Sequence, residues 1–387
     1  MKVAYILNST LSLGGASKAF KTLVNGLKKQ NISVCVILPE KKDLYYEIMD
    51  MGLPVFATTF RNNTYPYLRT FKDFVMFIPR LLGRFISNKI AVGKITKWLT
   101  EQNVDIIHSN VGVINVGFFA ACKLNIPHVY HIREYGDLDF GMHYFPVKNA
   151  FYTQLNKPNS YSICITRNIQ QYHKQDKKQT SRVIYDGICA EKKQMPWCKK
   201  ESFFLFAGRI ESAKGLDFLL DAYAKYIKTS DIVIPLHIAG EATNNKYLAT
   251  INKKINDYQI GKHIEFIGMR QDIEQIMQKA TAIIIASPSE GFGLCMTEAM
   301  FNGCLVIGRN TSGTKEQMDN GYNITKQEIA LRYNTKGELS EHLVTVSHMS
   351  ESDIYKYTER AFAVVNSLYT KEATANQVTA FYNEILK

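Results

Sequence analysis

Short β-rich runs alternate with helical stretches along this chain, and several of the runs are apolar throughout. Together these features predict an α/β protein with two doubly wound parallel sheets. Length sets the number of sheets: at roughly 100–200 residues per domain, 387 residues make two domains. The apolar runs set their kind. Stretches such as FFLFA and AIIIA are buried on both faces, as strands of a helix-covered parallel sheet are.

In the first half the candidate strands are Val3–Leu7, Ser33–Leu38, Val104–Ile107, His128–His131, Ser162–Ile165 and Val183–Tyr185. In the second they are Phe203–Ala207, Val233–Ala239, Ile264–Ile267, Ala282–Ala286 and Leu305–Gly308. Helical patterns between them predict right-handed βαβ units. Asp186 to Ser202 is polar and lysine-rich, contains Pro196, and reads as a linker. It divides a first domain, residues 1–190, from a second, residues 201–367. Two helical patterns, about Glu351–Asn366 and Glu372–Leu386, follow the last candidate strand. Helices with no sheet after them must bury an apolar face somewhere, and the other domain is one option.

Composition narrows the class. With 46% hydrophobic and 21% charged residues the chain is globular, not disordered, collagenous or built on disulfides. The apolar stretch Phe74 to Ile86 is too short to span a bilayer and is interrupted by Pro79, Arg80 and Arg84. The opening MKVAYILNSTLSLGG reads as a strand and turn, not as an export signal. Seven cysteines, odd in number and with no Cys-x-x-Cys, suit a reducing, cytoplasmic setting.

Charge is unevenly spread. Residues 1–200 hold 28 Lys and Arg against 13 Asp and Glu, a net of +15; residues 201–387 hold 19 against 22, a net of −3. The first half is therefore expected to face something anionic, nucleic acid or a membrane surface. No nucleic-acid-binding motif accompanies the charge, so no nucleic acid is expected as partner. Arg61 to Lys97 carries eight Lys and Arg and one acid, Asp73. Among them stand Phe71, Phe74, Val75, Phe77, Ile78, Leu81, Leu82, Phe85 and Ile86. Such a stripe makes either an interfacial helix on an anionic membrane surface or a core helix with a solvated basic side.

Three loops carry the chemistry. Leu13-Gly14-Gly15 follows the first strand and precedes a helix, where glycines let a ligand approach free amides; a simple tight turn reads the same way. Gly208 to Gly215 follows FFLFA, and its Arg209 and Lys214 suit a diphosphate, bidentate from Arg and point-like from Lys. A solvated basic turn is the plainer alternative. Ser287 to Ala299 follows AIIIA and places Glu290 and Glu298 eight residues apart around Phe292, Gly293 and Leu294. Amides at 292–294 could hold a phosphate while the carboxylates accept from sugar hydroxyls on either side. Asp137-Leu138-Asp139 is a D-x-D, but no second cluster of metal ligands accompanies it, and no metal is expected.

The ordered set resembles family 4 of the retaining glycosyltransferases, of GT-B fold. Its marks here are Leu13 to Gly15, Asp105 to Asn110, Pro127 to His131, Tyr185 to Gly187, Gly208-Arg209, Lys214-Gly215, Ala239-Gly240, Ile267-Gly268 and Glu290 to Glu298, followed by Gly303 to Ile307, Gly313 and Glu316. The resemblance implies two Rossmann-like domains facing a central cleft, with the last helix, about 368–387, crossing back onto the first. It implies that Arg209 and Lys214 hold the donor diphosphate, Glu298 the ribose and Glu290 the transferred sugar. Phe292, Gly293 and Leu294 would supply amides, and Gly240 and Gly268 would lie on the nucleotide side. Gly14 and Gly15 would close over the diphosphate, and His131 would lie near the sugar's C6 hydroxyl. Arg133, Glu134 and Asp137 would meet the acceptor. Two positions depart from the pattern: Asp186-Gly187 stands for Asn-Gly, and Gly240-Glu241-Ala242 for Gly-x-Gly.

The implied activity is retaining transfer of a hexose-type sugar from a nucleotide-diphosphate donor to a hydroxyl of a glycan acceptor. That acceptor would be lipid-linked, and the enzyme would sit at the cytoplasmic membrane face with no cofactor. A nucleotide-sugar epimerase or a phosphorylase on the same fold is the alternative, with a nucleic-acid-binding protein behind it.

Overall fold

The computed structural model describes residues 1–12, 15–68 and 70–387. The chain forms two compact units, Met1–Gly187 with Lys371–Lys387, and Ile188–Thr370. Among the described residues the first holds a seven-stranded sheet of β1 (Lys2–Ile6), β2 (Ser33–Leu38), β3 (Val55–Ala57), β4 (Ile106–Ser109), β5 (His128–Ile132), β6 (Ser160–Cys164) and β7 (Ser181–Val183). The order is β3-β2-β1-β4-β5-β6-β7, and each neighbouring pair is parallel.

The second unit repeats the plan with β8 (Glu201–Ala207), β9 (Leu236–Ala239), β10 (Ile264–Gly268), β11 (Ala280–Ile285), β12 (Leu305–Arg309) and β13 (Leu331–Tyr333). Its order is β10-β9-β8-β11-β12-β13, again all parallel. Each sheet reverses its order once, at β1/β4 and at β8/β11. Continuous burial of β11 (ATAIII) and most of β8 is what covering a parallel sheet on both faces requires.

Two strands were absent from the sequence reading. β3 and β13 have only three residues each and lie at sheet edges, and β13 carries Arg332 at its centre, so neither offers an apolar run long enough to read as a strand. β4 ends two residues beyond the expected strand because its polar His108 and Ser109 are buried and hydrogen-bonded. The stretch read as a linker divides at Gly187. Beyond it Trp197 packs edge-on against Tyr355, and Lys200 Nζ donates to the carbonyls of Gln278 (2.6 Å) and Gly303 (2.7 Å), so this segment lies along the second unit.

Helix Lys371–Ile385 belongs to the first unit. Its Ala375, Val378, Phe381 and Tyr382 join the core of Val3, Tyr5, Phe20, Leu23 and Val36. The helix Phe77–Gln102 is different. Only Ala91, Val92, Ile95 and Leu99, all in its second half, are buried. The short helix Phe71–Val75 before it buries none of its residues.

Candidate functional site

Ligands of doubly wound sheets bind beyond the carboxyl ends of the strands at the point where strand order reverses. In the second sheet these strands are β8 and β11. The loops leaving them contain the two motifs read from the sequence. Lys214 and Glu290, 76 residues apart in the chain, are thereby brought into contact.

Lys214 lies in a short 3-10 turn, Ser212–Lys214, after β8. Its Nζ donates to Glu290 Oε1 at 2.7 Å, and the Ser287 hydroxyl donates to the same oxygen at 2.6 Å. The pair is largely covered, with 27% and 19% of the two side chains exposed. Arg209 is more exposed and pairs with Glu211 at 2.8 Å. Both cations are thus matched by carboxylates, which an incoming phosphate must displace or join.

Helix Leu294–Phe301 starts on Gly293, whose φ of +92° a residue with a side chain adopts only under strain. Its first amides have no acceptor within the helix, and that end attracts negative charge. Helix Ser312–Thr325 fixes this loop from behind. Gln317 Nε2 donates to the carbonyls of Phe292 (2.6 Å) and Gly293 (3.1 Å), its Oε1 accepts from Thr297 at 2.8 Å, and the Gly313 amide donates to Glu290 O at 3.0 Å. The Phe292 ring is buried against Tyr369, ring centres 5.1 Å apart, so only its backbone can face a ligand. Glu298 is partly exposed on the same helix as Leu294.

Gly240 follows β9 and explains how close the loops come. A Cβ there would stand 2.0 Å from Gly208 O, at a φ of +136°. Beside it Ile210 N donates to Glu241 O at 2.9 Å and Ile210 bridges Ala242, so the departure at 242 falls in a segment that pairs with the Arg209 loop. Gly268 O accepts from Gly240 N at 2.8 Å.

In the first unit Gly15 begins helix Gly15–Lys29, and Gly14 lies outside the described residues. His131, on β5, is fully buried. Its Nδ1 is 3.1 Å from His108 Nε2 and 3.2 Å from Arg133 Nη2, while its Nε2 is buried with no hydrogen-bond partner. The chain of contacts continues from His108 Nδ1 to the Tyr382 hydroxyl (2.6 Å) and on to that of Tyr5 (2.6 Å). Burial, and then the Arg133 charge, hold both imidazoles well below the ordinary histidine range.

The three residues expected at the acceptor are placed within the first unit's own polar network. Arg133 is buried, pairs with the Asp186 carboxylate, and donates to Asn110 O at 3.1 Å. The acid that departs from the family pattern at 186 is thus neutralised. Glu134 Oε1 accepts from the amides of Gly112 (2.7 Å) and Val113 (3.1 Å), and burial pushes its carboxyl up to about 7. Asp137 accepts from the Tyr172 hydroxyl and lies 3.4 Å from Lys148 Nζ. Asp139 accepts from the amides of Tyr135 and Gly136, both at 2.8 Å. Among the described residues no group of three or more His, Cys, Asp or Glu could hold a metal ion.

Ser287, Gln317, Tyr5 and Tyr382 had no assigned role in the sequence reading. Each enters through a tertiary contact, and no spacing announces it.

Two Rossmann-like parallel sheets, each with one reversal of strand order, define a two-domain α/β protein of GT-B type. The family model for glycosyl transferases group 1 matches residues 189–330, and that for glycosyltransferase family 4 matches residues 13–192. Matched in tandem over most of its length, the chain belongs to the group 1, family 4 glycosyltransferases. It is 21% identical over 328 residues to the capsular polysaccharide biosynthesis glycosyltransferase CapH of Staphylococcus aureus, covering 82% of this chain and 83% of that one. It is 22% identical over 325 residues to a Campylobacter jejuni α-1,4-N-acetyl-D-galactosaminyltransferase named for an undecaprenol-diphosphate-linked acceptor, covering 82% and 81%. The fold superposes on the Anabaena protein HepE in complex with UDP with a TM-score of 0.77, at 17% identity, over 99% of this chain and 100% of that one.

Proposed function

We propose that this glycosyltransferase moves a hexose-type sugar from a nucleoside diphosphate donor to a hydroxyl of a lipid-linked glycan, with retention of anomeric configuration. The observation that carries this reading is the Lys214–Glu290 pair at the strand-order reversal of the second sheet. It sets a cation for a phosphate directly beside a carboxylate for a sugar hydroxyl. UDP bound to HepE supports a nucleotide donor.

As the diphosphate departs, the sugar carbon becomes oxocarbenium-like. Arg209, Lys214 and the first amides of helix Leu294–Phe301 stabilise the charge growing on the leaving group. Cations of the protein fill the role a metal fills elsewhere, so transfer proceeds without one. Glu290 accepts from a sugar hydroxyl and Glu298 from the ribose. The acceptor's proton passes to the leaving phosphate on the same face, which retains configuration.

A lipid-linked acceptor is supported by the acceptor named for the Campylobacter relative and by the exposed face of helix Phe77–Gln102. Among the described residues no helix is long and apolar enough to cross a membrane. The chain would meet the bilayer peripherally, at the cytoplasmic leaflet, through residues 61–97. Cations near an anionic leaflet contribute about 1 kcal/mol each.

The test is transfer from a panel of nucleotide sugars to polyprenyl-diphosphate-linked and soluble acceptors, with EDTA present and the product's anomeric configuration read by NMR. Product with retained configuration is expected. Strict dependence on Mn²⁺ would overturn the metal-free mechanism. Sugar interconversion without acceptor would reveal an epimerase, and a need for inorganic phosphate a phosphorylase.

A further inference from the structure

The first unit contains a pocket of about 500 Å³ to which no part of the transfer chemistry has been assigned. That is within the usual range for small-molecule sites, roughly 300–1,000 Å³. Leu81, Phe85, Val92, Phe119, Phe145 and Pro146 make its apolar walls. Arg84, Lys89 and Lys123 stand among them. The walls are braced: Asn63 and Phe145 exchange two hydrogen bonds, 2.9 Å from the Asn63 side chain and 3.0 Å from the Phe145 amide.

The one acid of the surrounding stretch, Asp73, is paired with Arg80. Among the described residues Arg84, Lys89 and Lys123 make no ion pair. Arg84 is fixed in place by donating to Thr64 O at 2.7 Å, and burial followed by the neighbouring Arg61 charge weakens its hold on its proton. Arg84 is partly buried in the lining, whereas Lys89 and Lys123 are exposed, where they can meet an anionic headgroup from solvent. Asn115, also in the lining, has a buried side-chain oxygen without a partner.

The helix connects this pocket with the exposed apolar surface. Leu81, Arg84, Phe85, Asn88, Lys89 and Val92 recur every three or four residues and share one face. Ile78, Leu82, Ile86 and Ile90, each more than half exposed, recur every four and form the adjoining face. Phe85 and Lys89 lie where the faces meet.

We propose that this pocket binds the hydrocarbon chain of a phosphorylated lipid, with the phosphate on Arg84, Lys89 and Lys123. The proposal rests on the lipid-linked acceptor read above and gives that acceptor's lipid end a place. A chain lying in the bilayer against Ile78, Leu82, Ile86 and Ile90 reaches the pocket by turning around Phe85.

The test is calorimetric titration of the full-length protein with dodecyl phosphate below its micelle concentration. Saturable one-to-one binding is expected. Lengthening the chain from decyl to dodecyl should tighten it about 15-fold, because each buried methylene is worth roughly fourfold. Dodecanol and inorganic phosphate should each bind about tenfold or more weakly. A combined Arg84→Gln, Lys89→Gln, Lys123→Gln variant should lose about tenfold or more in affinity for dodecyl phosphate. Ala150→Trp, which fills the pocket without changing its charge, should abolish the chain-length dependence. Both variants should keep the wild type's circular dichroism spectrum and melting temperature, which certifies the fold of the first unit. Dodecanol binding as tightly as dodecyl phosphate, or unchanged binding in both variants, overturns the proposal. So does a wild-type chain that ignores the lipid and self-associates in sedimentation. The titration reads lipid binding and not transfer, so the two readings fail separately. A protein that glycosylates soluble acceptors yet ignores dodecyl phosphate refutes the pocket alone. A protein that binds dodecyl phosphate but turns over no donor refutes the transferase reading and leaves the pocket standing.

Discussion

A nitrogen of the Arg133 guanidinium lies 3.2 Å from His131 Nδ1. A guanidinium only donates, so Nδ1 accepts and the neutral imidazole carries its proton on Nε2, the atom left without a partner. Burial and the Arg133 charge keep the ring from taking a second proton. In this arrangement the neutral His131 ring presents an Nε2–H as a donor.

This is open to direct observation. Nitrogen-15 NMR should find His131 protonated on Nε2, and both His108 and His131 should stay neutral through the ordinary histidine midpoint near 6.5. A proton on Nδ1, or a midpoint near 6.5, would contradict the assignment. The sign for stability follows. Groups whose folded pKa is lowered and which stay neutral stabilise the fold above about pH 6.5 and lose that contribution on acidification.

Tyr382→Phe should destabilise the first unit. The substitution leaves the Tyr5 hydroxyl and His108 Nδ1 without their 2.6 Å partner inside the core. Unsatisfied buried groups cost about 1–3 kcal/mol, readable by urea denaturation. Because the helix Lys371–Ile385 contributes Tyr382 to this core, the loss should appear in the first unit's hydrogen-exchange protection and not in that of the second. Unchanged stability would show that the hydroxyl is dispensable.

Gly240→Ala should damage the nucleotide site without touching a ligand. The added methyl would meet the carbonyl of Gly208 at 2.0 Å and force the loop bearing Arg209 to move. Strain of this kind costs about 1–3 kcal/mol. We expect a lower melting temperature and weaker nucleoside diphosphate binding together. Wild-type binding would mean the loop shifts freely.

The alternating pattern made both sheets legible, because a buried parallel strand must be apolar on two faces. Apolar runs located the second sheet's reversal loops as well, since FFLFA and AIIIA end where Gly208 to Gly215 and Ser287 to Gly293 begin. What the sequence could not show was pairing across the chain. Nothing in the spacing joins Lys214 to Glu290, His108 to His131 and Tyr382, or Asp186 to Arg133; the tertiary fold creates those contacts. The edge strands β3 and β13 escaped because three residues carry too short a period to read. The basic apolar stretch allowed two readings, and only burial separates them: half of helix Phe77–Gln102 packs and half does not.

The unpacked half should bind membranes. Wild-type protein is expected to sediment with anionic vesicles and not with neutral ones, and to do so less at physiological salt, where the Debye length falls to about 8 Å. Phe71, Phe74, Ile78 and Leu82 are all more than half exposed. Replacing them with Ser should release most of the protein while leaving transfer to a soluble acceptor intact. Sedimentation that ignores vesicle charge and these substitutions would leave the stretch without a membrane role.

The most direct measurement concerns Lys214 and Glu290. If the two loops at the β8/β11 reversal form the donor site, calorimetric titration with UDP should show binding to the wild type and about tenfold or more weaker binding to Lys214→Met, since a charge-assisted phosphate contact is worth about 1.5–3 kcal/mol. Glu290→Gln, which leaves Lys214 without its 2.7 Å counter-charge, should bind UDP as tightly as the wild type or more so. Equal UDP affinity in the wild type and Lys214→Met would contradict the site.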